Sequence, residues 1–274
     1  MKDRWRIRVW GVRGSGPVAE DNYLYYGGNT SCISVEWGTR MLILDAGSGL
    51  SKLGEELKRQ KKVQRLDIFF SHLHLDHVLG LFDFAPFYKP EFTIHLYGEA
   101  KEGVSFEKLL KRLIGPPYWP VGFADFRAKI VLHEIEDRQC IRLSDEEDVL
   151  VHTFRARHPG GSLLYRLEGK EKCLSYMLDY EALDTPEEAL LFCARKADLI
   201  IWDAGYISED LQKGWGHSTW EQGLDFLKAS QAKEIWMTHY HRRYTDEFLH
   251  QQKALAQASC AFCRFAREGM EMIL

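Results

Sequence analysis

Phe69-Phe70-Ser71-His72-Leu73-His74-Leu75-Asp76-His77 sets three imidazoles and a carboxylate within residues 72–77, directly after a mostly apolar run at 66–70 that reads as a buried strand. Imidazole and carboxylate suit zinc, manganese or non-haem iron, and the stretch holds no thiol that would turn it into a structural cysteine cluster. His72 and His74 lie two apart, so they project to one side of an extended segment. Asp76 and His77 fall where an apolar helix, Val78-Leu79-Gly80-Leu81-Phe82, is expected to begin. Two pairs of ligands diverging from one turn suit two metal ions a few ångströms apart, as two-metal hydrolases require. The bland reading is a solvated turn. Single histidines are commonly structural, but four such residues at this spacing point to a metal.

The chain has 274 residues, 45% of them hydrophobic, enough to bury a substantial core. A net charge of −4 supplies no global basic field to recruit nucleic acid. The start, Met1-Lys2-Asp3-Arg4-Trp5-Arg6, is charged and lacks a following apolar run, and nowhere do about 18 apolar residues adjoin. A cytoplasmic protein without a membrane partner is expected. The six cysteines, at 32, 140, 173, 193, 260 and 263, are scattered through apolar contexts, as reduced core thiols are. Cys260 and Cys263 form the one C-x-x-C, and burial is favoured over a redox or zinc pair because no second such pair accompanies it.

Strict alternation at 4–10 predicts a half-exposed strand leading into Gly11-Val12-Arg13-Gly14-Ser15-Gly16-Pro17, a loop open to close backbone approach or to an anion. Residues 31–37 and 41–45 predict a hairpin, 50–57 a helix ending in a basic turn at 58–62, 93–97 a strand and 106–114 an amphipathic helix. The proline-rich stretch 115–120, with Tyr118 and Trp119, is a stiff loop that serves either as a buttress or as a lid. Strands follow at 129–134, 149–155, 162–167, 173–178, 199–204 and 234–238, helices at 186–196, 219–229 and 246–256, and two closing strands or a hairpin at 261–274. No linker divides this pattern, which fits one α/β or α+β domain over residues 1–274, built of two similar halves.

Three further strands each deliver a ligand-capable residue at or beyond the C-terminal end: His158 after 149–155, Asp179 after 173–178 and His239 after 234–238. His95, His133, His152 and His250 read as structural. His241 shares a basic turn with Arg242 and Arg243 and is left unassigned.

His72-x-His74-x-Asp76-His77 after a hydrophobic strand resembles the signature of the metallo-β-lactamase superfamily. The resemblance implies a four-layer αβ/βα sandwich with two divalent metals at one edge. It implies His72, His74 and His158 on one metal, Asp76, His77 and His239 on the other, and Asp179 bridging both. Zinc is expected, with manganese the alternative because the donors are all nitrogen and oxygen. Asn29-Thr30-Ser31, Asp45-Ala46-Gly47, Gly216-His217-Ser218-Thr219 and Thr238-His239-Tyr240-His241-Arg242-Arg243-Tyr244 resemble motifs of the tRNA 3′-processing endonucleases (ribonuclease Z). That branch implies His217 as proton donor to the leaving oxygen, oriented by Asp203, with Asp76 holding or deprotonating the attacking water. Its bacterial short form carries a tRNA-gripping arm between the ligands matched by His158 and Asp179, and here only residues 159–178 separate them. The chain therefore looks most like the arm-less relatives, phosphodiesterases acting on small molecules such as cyclic nucleotides. Tyr118 and Trp119 are expected to stack a base, long nucleic acid is disfavoured, and a homodimer is expected because related enzymes pair. A ribonuclease Z-like endonuclease is the alternative, followed by a thioester or lactone hydrolase or a diiron redox protein.

Overall fold

The alternation of apolar residues in the sequence builds two sheets of matching design. The computed structural model describes residues 4–60, 62–144, 149–183 and 185–274; the charged start at 1–3 and Lys61 of the basic turn lie outside them. In chain order the strands are β1 Arg6–Gly11, β2 Arg13–Gly14, β3 Cys32–Trp37, β4 Arg40–Leu44, β5 Arg65–Phe69, β6 Thr93–Gly98, β7 Lys129–Glu134, β8 Cys140–Ser144, β9 Val149–Ala156, β10 Ser162–Gly169, β11 Lys172–Met177, β12 Leu199–Asp203, β13 Ile235–Thr238, β14 Tyr240–His241, β15 Cys263–Phe265 and β16 Glu271–Ile273. The α-helices are α1 Gly49–Arg59, α2 Phe106–Leu113, α3 Glu188–Ala194, α4 Trp220–Ser230 and α5 Asp246–Ser259. They fall into two compact units. The first takes the chain up to Gly11, Asn29–Glu136 and Gly269–Leu274, and the second takes Val12–Gly28 and Asp137–Glu268.

The first unit carries the sheet β16-β1-β3-β4-β5-β6-β7, antiparallel up to β4 and parallel from β4 to β7. One face of its parallel half presents Met41, Ile43, Leu66, Ile68, Ile94 and Leu96 to a buried cluster. Against it lie Leu50, Leu53 and Leu57 of α1, spaced three and four apart, and Phe106 and Leu110 of α2. Each such side chain contributes about 1.5–3 kcal/mol on burial. On the opposite face Asp67 is fully buried and accepts hydrogen bonds from Arg40 (3.0 Å), Arg65 (3.2 Å) and the Tyr97 hydroxyl (3.1 Å). Trp119 packs on Phe82 at 5.2 Å and against the same core cluster, so it buttresses this unit, while Tyr118 is 73% exposed.

The second unit carries β15-β13-β12-β11-β10-β9-β8, antiparallel from β8 to β11 and parallel from β11 to β15. The two sheets thus repeat one plan, with β4 and β11 as the strands where direction switches. Helix α4 lies tightly on β12 and β13: a Cβ on Gly223 would come within 2.8 Å of both Met237 and Trp202. The α4 N-cap is Thr219, paired reciprocally with Gln222 (3.2 and 3.0 Å).

Two expectations are corrected. The segment after the histidine motif forms three short 3-10 turns, Leu75–His77, Leu79–Asp83 and Ala85–Tyr88, in place of an α-helix. The cause is competition for backbone groups: the His77 carbonyl accepts from Ala46 N–H (2.8 Å) and Gly80 N–H donates to the Ala46 carbonyl (2.9 Å), which withdraws both from an α-helical ladder. Residues 261–274 supply the two closing strands expected and not the alternative hairpin, since β15 joins β13 and β16 joins β1 in separate sheets. Cys140 is exposed, not a core thiol. Cys32, Cys173, Cys193 and Cys263 are buried, all six thiols are free, and burial pushes Cys173 and Cys263 up to about 12. Strands β2 and β14, two residues each, are too short to show alternation, and β8, where Ile141 and Leu143 alternate with Arg142 and Ser144, is missing from the sequence reading. Among the described residues no helix is long and apolar enough to cross a membrane.

The glycine loop owes its place to Arg13, fully buried, whose guanidinium donates to the Gly27 (2.8 Å) and Tyr244 (2.7 Å) carbonyls and lies 3.8 Å from Asp246. Burial depresses its pKa, so its neighbours keep it charged. This anchor seats β2 beside β14, the strand that follows His239. Arg13→Met, which keeps the stem but strands those acceptors, is expected to cost about 3 kcal/mol, read as a lowered urea midpoint.

Candidate metal centre

In the second unit, adjacent parallel strands end at one edge. Met177 pairs with Trp202 and Asp203 with Thr238, so Asp179, Asp203 and His239 emerge side by side from β11, β12 and β13. Asp179 and His239 adopt left-handed backbone, φ 53° and 62°, which bends the chain off its strand. Donor atoms of Asp179, Asp203, His217 and His239 all lie within 4.8 Å of one another. His239 Nε2 is 3.3 Å from Asp179 Oδ2, and His158 Nε2 is 3.7 Å from Asp179 Oδ1. Gly14 lacks a side chain for a local reason, because a Cβ there would sit 2.5 Å from the His239 ring.

The ring nitrogens that point away from this cluster are tied down. His158 Nδ1–H donates to the Gly216 carbonyl at 3.0 Å and His217 Nδ1–H to Asp203 Oδ2 at 2.9 Å, so each presents Nε2. Asp203 also accepts from Asp179 N–H (3.0 Å) and Gly205 N–H (2.8 Å). Within the His217-Ser218-Thr219 motif the three residues divide their work. Thr219 caps α4, and Ser218 donates to the Tyr180 carbonyl and accepts from Ala182 N–H at 3.1 Å. Only His217 faces the cluster. Glu181 Oε2 accepts from both Gly214 N–H (2.8 Å) and Gly216 N–H (3.0 Å), fixing the backbone that carries His217.

In the first unit, His72, Asp76 and His77 are buried and His74 is exposed. The rings of His72 and His74 are 4.3 Å apart, those of His72 and His77 4.4 Å, and His77 Nε2 is 3.3 Å from Asp76. Behind them stands Asp45, fully buried at the end of β4 with φ 59°. It accepts the Ser71 N–H (2.7 Å), the Ser71 hydroxyl (2.8 Å) and His77 Nδ1–H (2.8 Å). With its proton given to Asp45, the Ser71 oxygen accepts His72 Nδ1–H at 3.0 Å. One carboxylate thereby orients two histidines, one directly and one through a hydroxyl. The Asp45 turn is held by Asn29-Thr30-Ser31: Gly47 N–H donates to the Ser31 carbonyl (2.9 Å), and Thr30 and Ser48 exchange side-chain hydrogen bonds (2.9 and 2.8 Å).

In the sequence reading Asp45 belongs to the motif Asp45-Ala46-Gly47 but has no role, and neither Ser71 nor Glu181 has one. The available signal was the tripeptide Asp-Ala-Gly, present at 45–47 and again at 203–205 after a strand. Of the histidines set aside, His95 and His133 pair with each other at 2.8 Å, and burial takes His95 down to about 4. His152 meets Glu168 at 3.2 Å, and His250 donates to the Asp246 carbonyl at 2.7 Å. His241 lies beside Tyr206 at 5.4 Å between ring centroids and accepts from Arg243 N–H. In each unit imidazole and carboxylate donors are gathered, and the second ring nitrogens of His72, His77, His158 and His217 are held by hydroxyl, carboxylate or carbonyl, the arrangement that divalent-metal ligands use.

The family model described as "Beta-lactamase superfamily domain" matches residues 40–240. The chain is 22% identical over 265 residues to ribonuclease Z of Pyrococcus furiosus, covering 79% of this chain and 82% of that protein. Among solved structures it is similar to the metallo-β-lactamase fold protein YhfI from Bacillus subtilis, with a TM-score of 0.73, 18% identity and all of both chains covered. It is also similar to a diphosphatase from the PhnP family, with a TM-score of 0.70 and 18% identity over 99% of this chain and 97% of that one.

Asp45→Asn keeps a side chain that tolerates the left-handed turn and turns an acceptor toward a donor. It is expected to weaken metal binding roughly 10–100-fold, measured by competition with a chromophoric chelator, without loss of the folded state in circular dichroism.

Proposed function

The chain belongs to the β-lactamase superfamily, and as a metal-dependent hydrolase of that superfamily we propose that it cleaves a phosphodiester. The observation that carries this reading is the His217–Asp203 pair, 2.9 Å from Nδ1 to carboxylate and beside Asp179 and His239. A histidine so held delivers its acid proton from Nε2, and an acid for the leaving oxygen helps an alkoxide depart far more than it helps a thiolate. The ligand set that the superfamily resemblance implies, His72, His74, Asp76, His77, His158, Asp179 and His239, would hold the metals. Two divalent ions so held, zinc first and manganese second, would supply Lewis acidity at the phosphoryl oxygens and ease deprotonation of water.

The remaining roles belong to the protein. Asp76 orients the attacking water and takes its proton, and the water approaches phosphorus opposite the leaving oxygen. His217 gives that oxygen a proton, and Asp203 stabilises the imidazolium before transfer. A small phosphodiester, with cyclic nucleotides the leading choice, is favoured by the compact β10–β11 hairpin, in which Gly169 pairs with Lys172 and no arm intervenes. Cleavage of precursor tRNA is the second reading, supported by the ribonuclease Z relative and the share of both chains it covers.

The test is a panel of 2′,3′- and 3′,5′-cyclic nucleotides, linear dinucleotides and a precursor tRNA with metal-loaded protein. Turnover of cyclic nucleotides is expected; trailer removal from tRNA with the small substrates untouched would replace the first reading by the second. His217→Ala is expected to lose about 10²–10⁴ in rate on a ribose leaving group and clearly less on nitrophenolate, with metal content retained. Equal losses on both leaving groups would remove the acid role.

A further inference from the structure

Trp215 sits two residues before His217 and is 57% exposed. Isolated surface aromatics are ordinary, but this one stands on backbone held from both sides. Gly214 and Gly216 N–H both donate to Glu181 Oε2, His158 Nδ1–H donates to the Gly216 carbonyl, and Ser218 anchors to the Tyr180 carbonyl. Both flanking glycines have positive φ, 85° and 80°, and a Cβ on Gly216 would come within 2.2 Å of the His158 ring. The indole meets Tyr206 edge-on at 6.3 Å, and the buried Tyr206 ring lies 5.8 Å from His217. Tyr206 is thus a common neighbour of the exposed indole and of the proton donor, and its own N–H donates to the Ser218 carbonyl (3.2 Å).

A large apolar ring is therefore displayed at a fixed place within about 7 Å of backbone from His217. A group that receives its proton from His217 is the leaving group, so whatever extends from that oxygen toward Trp215 belongs to the leaving nucleoside. We propose that Trp215 is the specificity-determining residue for the leaving group and stacks on its nucleobase. The proposal rests on the phosphodiesterase reading of His217. Stacking suits any base, because every base has a π-face, and a preorganised ring forfeits little freedom on binding.

The test compares two dinucleotides that differ only in whether the leaving nucleoside carries adenine or is abasic. The ratio of their kcat/KM values, base-bearing over abasic, is expected to fall about tenfold in Trp215→Ala, the scale of one base–aromatic stack, and to recover in part in Trp215→Phe. A ratio that does not move, including equal loss on both substrates, overturns the proposal, since a merely structural role would slow both alike. A second arm needs no turnover: metal-stripped protein is titrated with adenosine 5′-monophosphate while tryptophan fluorescence is followed. Quenching that is stronger in the wild type than in Trp215→Phe supports stacking, and equal quenching overturns it. Absence of turnover on every phosphodiester would count against the reaction class alone, leaving the binding arm to decide on Trp215.

Discussion

A buried carboxylate that must satisfy its lone pairs organises each half of this protein. Asp45 and Asp203 are both fully buried at strand ends. An ionised carboxylate in that position costs several kcal/mol unless donors surround it. Each finds three donors, and in each case one is a histidine Nδ1–H: His77 for Asp45 and His217 for Asp203. Ring orientation at the centre is therefore a by-product of solvating a charge with protein groups. Asp45 and Asp203 share a tripeptide but not a place in the sheet plan. The topological counterpart of Asp45 is Asp179, since both follow the strand where direction switches and both take left-handed backbone. Duplicated sheets thus carry a shared bend, with chemistry distributed differently over it.

Much of this was legible because it is periodic. Apolar runs and alternation located β4, β5, β6, β9, β10, β11 and β12 to within a residue or two, and leucines three and four apart located α1. The superfamily and its fold were readable from six residues, since a metal-binding turn admits few spacings. What resisted was whatever depends on distant partners. Nothing local around Val78 announces that Ala46 will take two of its neighbours' backbone groups, so an amphipathic run became 3-10 turns. Arg13 read only as part of a glycine-rich loop because its acceptors are Gly27 and Tyr244, the latter 231 positions away. Asp45 read as the last residue of the strand at 41–45, and its role shows only when Ser71 and His77 arrive from beyond another strand.

Motifs, too, mix roles that a string of letters cannot separate. In His217-Ser218-Thr219 one residue points to the cluster, one ties two loops and one caps a helix. In Asn29-Thr30-Ser31 all the visible work is mechanical, bracing the turn that holds Asp45. Recurrence of such strings across related chains reports on the scaffold as much as on the reaction. Substrate choice then rests with surfaces the motifs leave out.

The Gly216 peptide group has a consequence for how this enzyme can change. Its N–H and carbonyl serve Glu181 and His158, and its missing Cβ makes room for an imidazole. The stem bearing Trp215 is thus fastened through main-chain atoms, which are indifferent to what the neighbouring side chain is. Position 215 can consequently drift among residue types while the main-chain hydrogen bonds to Glu181 and His158 stay put. That gives the lineage an exchangeable head on an immobile neck, a place where side chains can be sampled without first dismantling the backbone that holds the imidazoles.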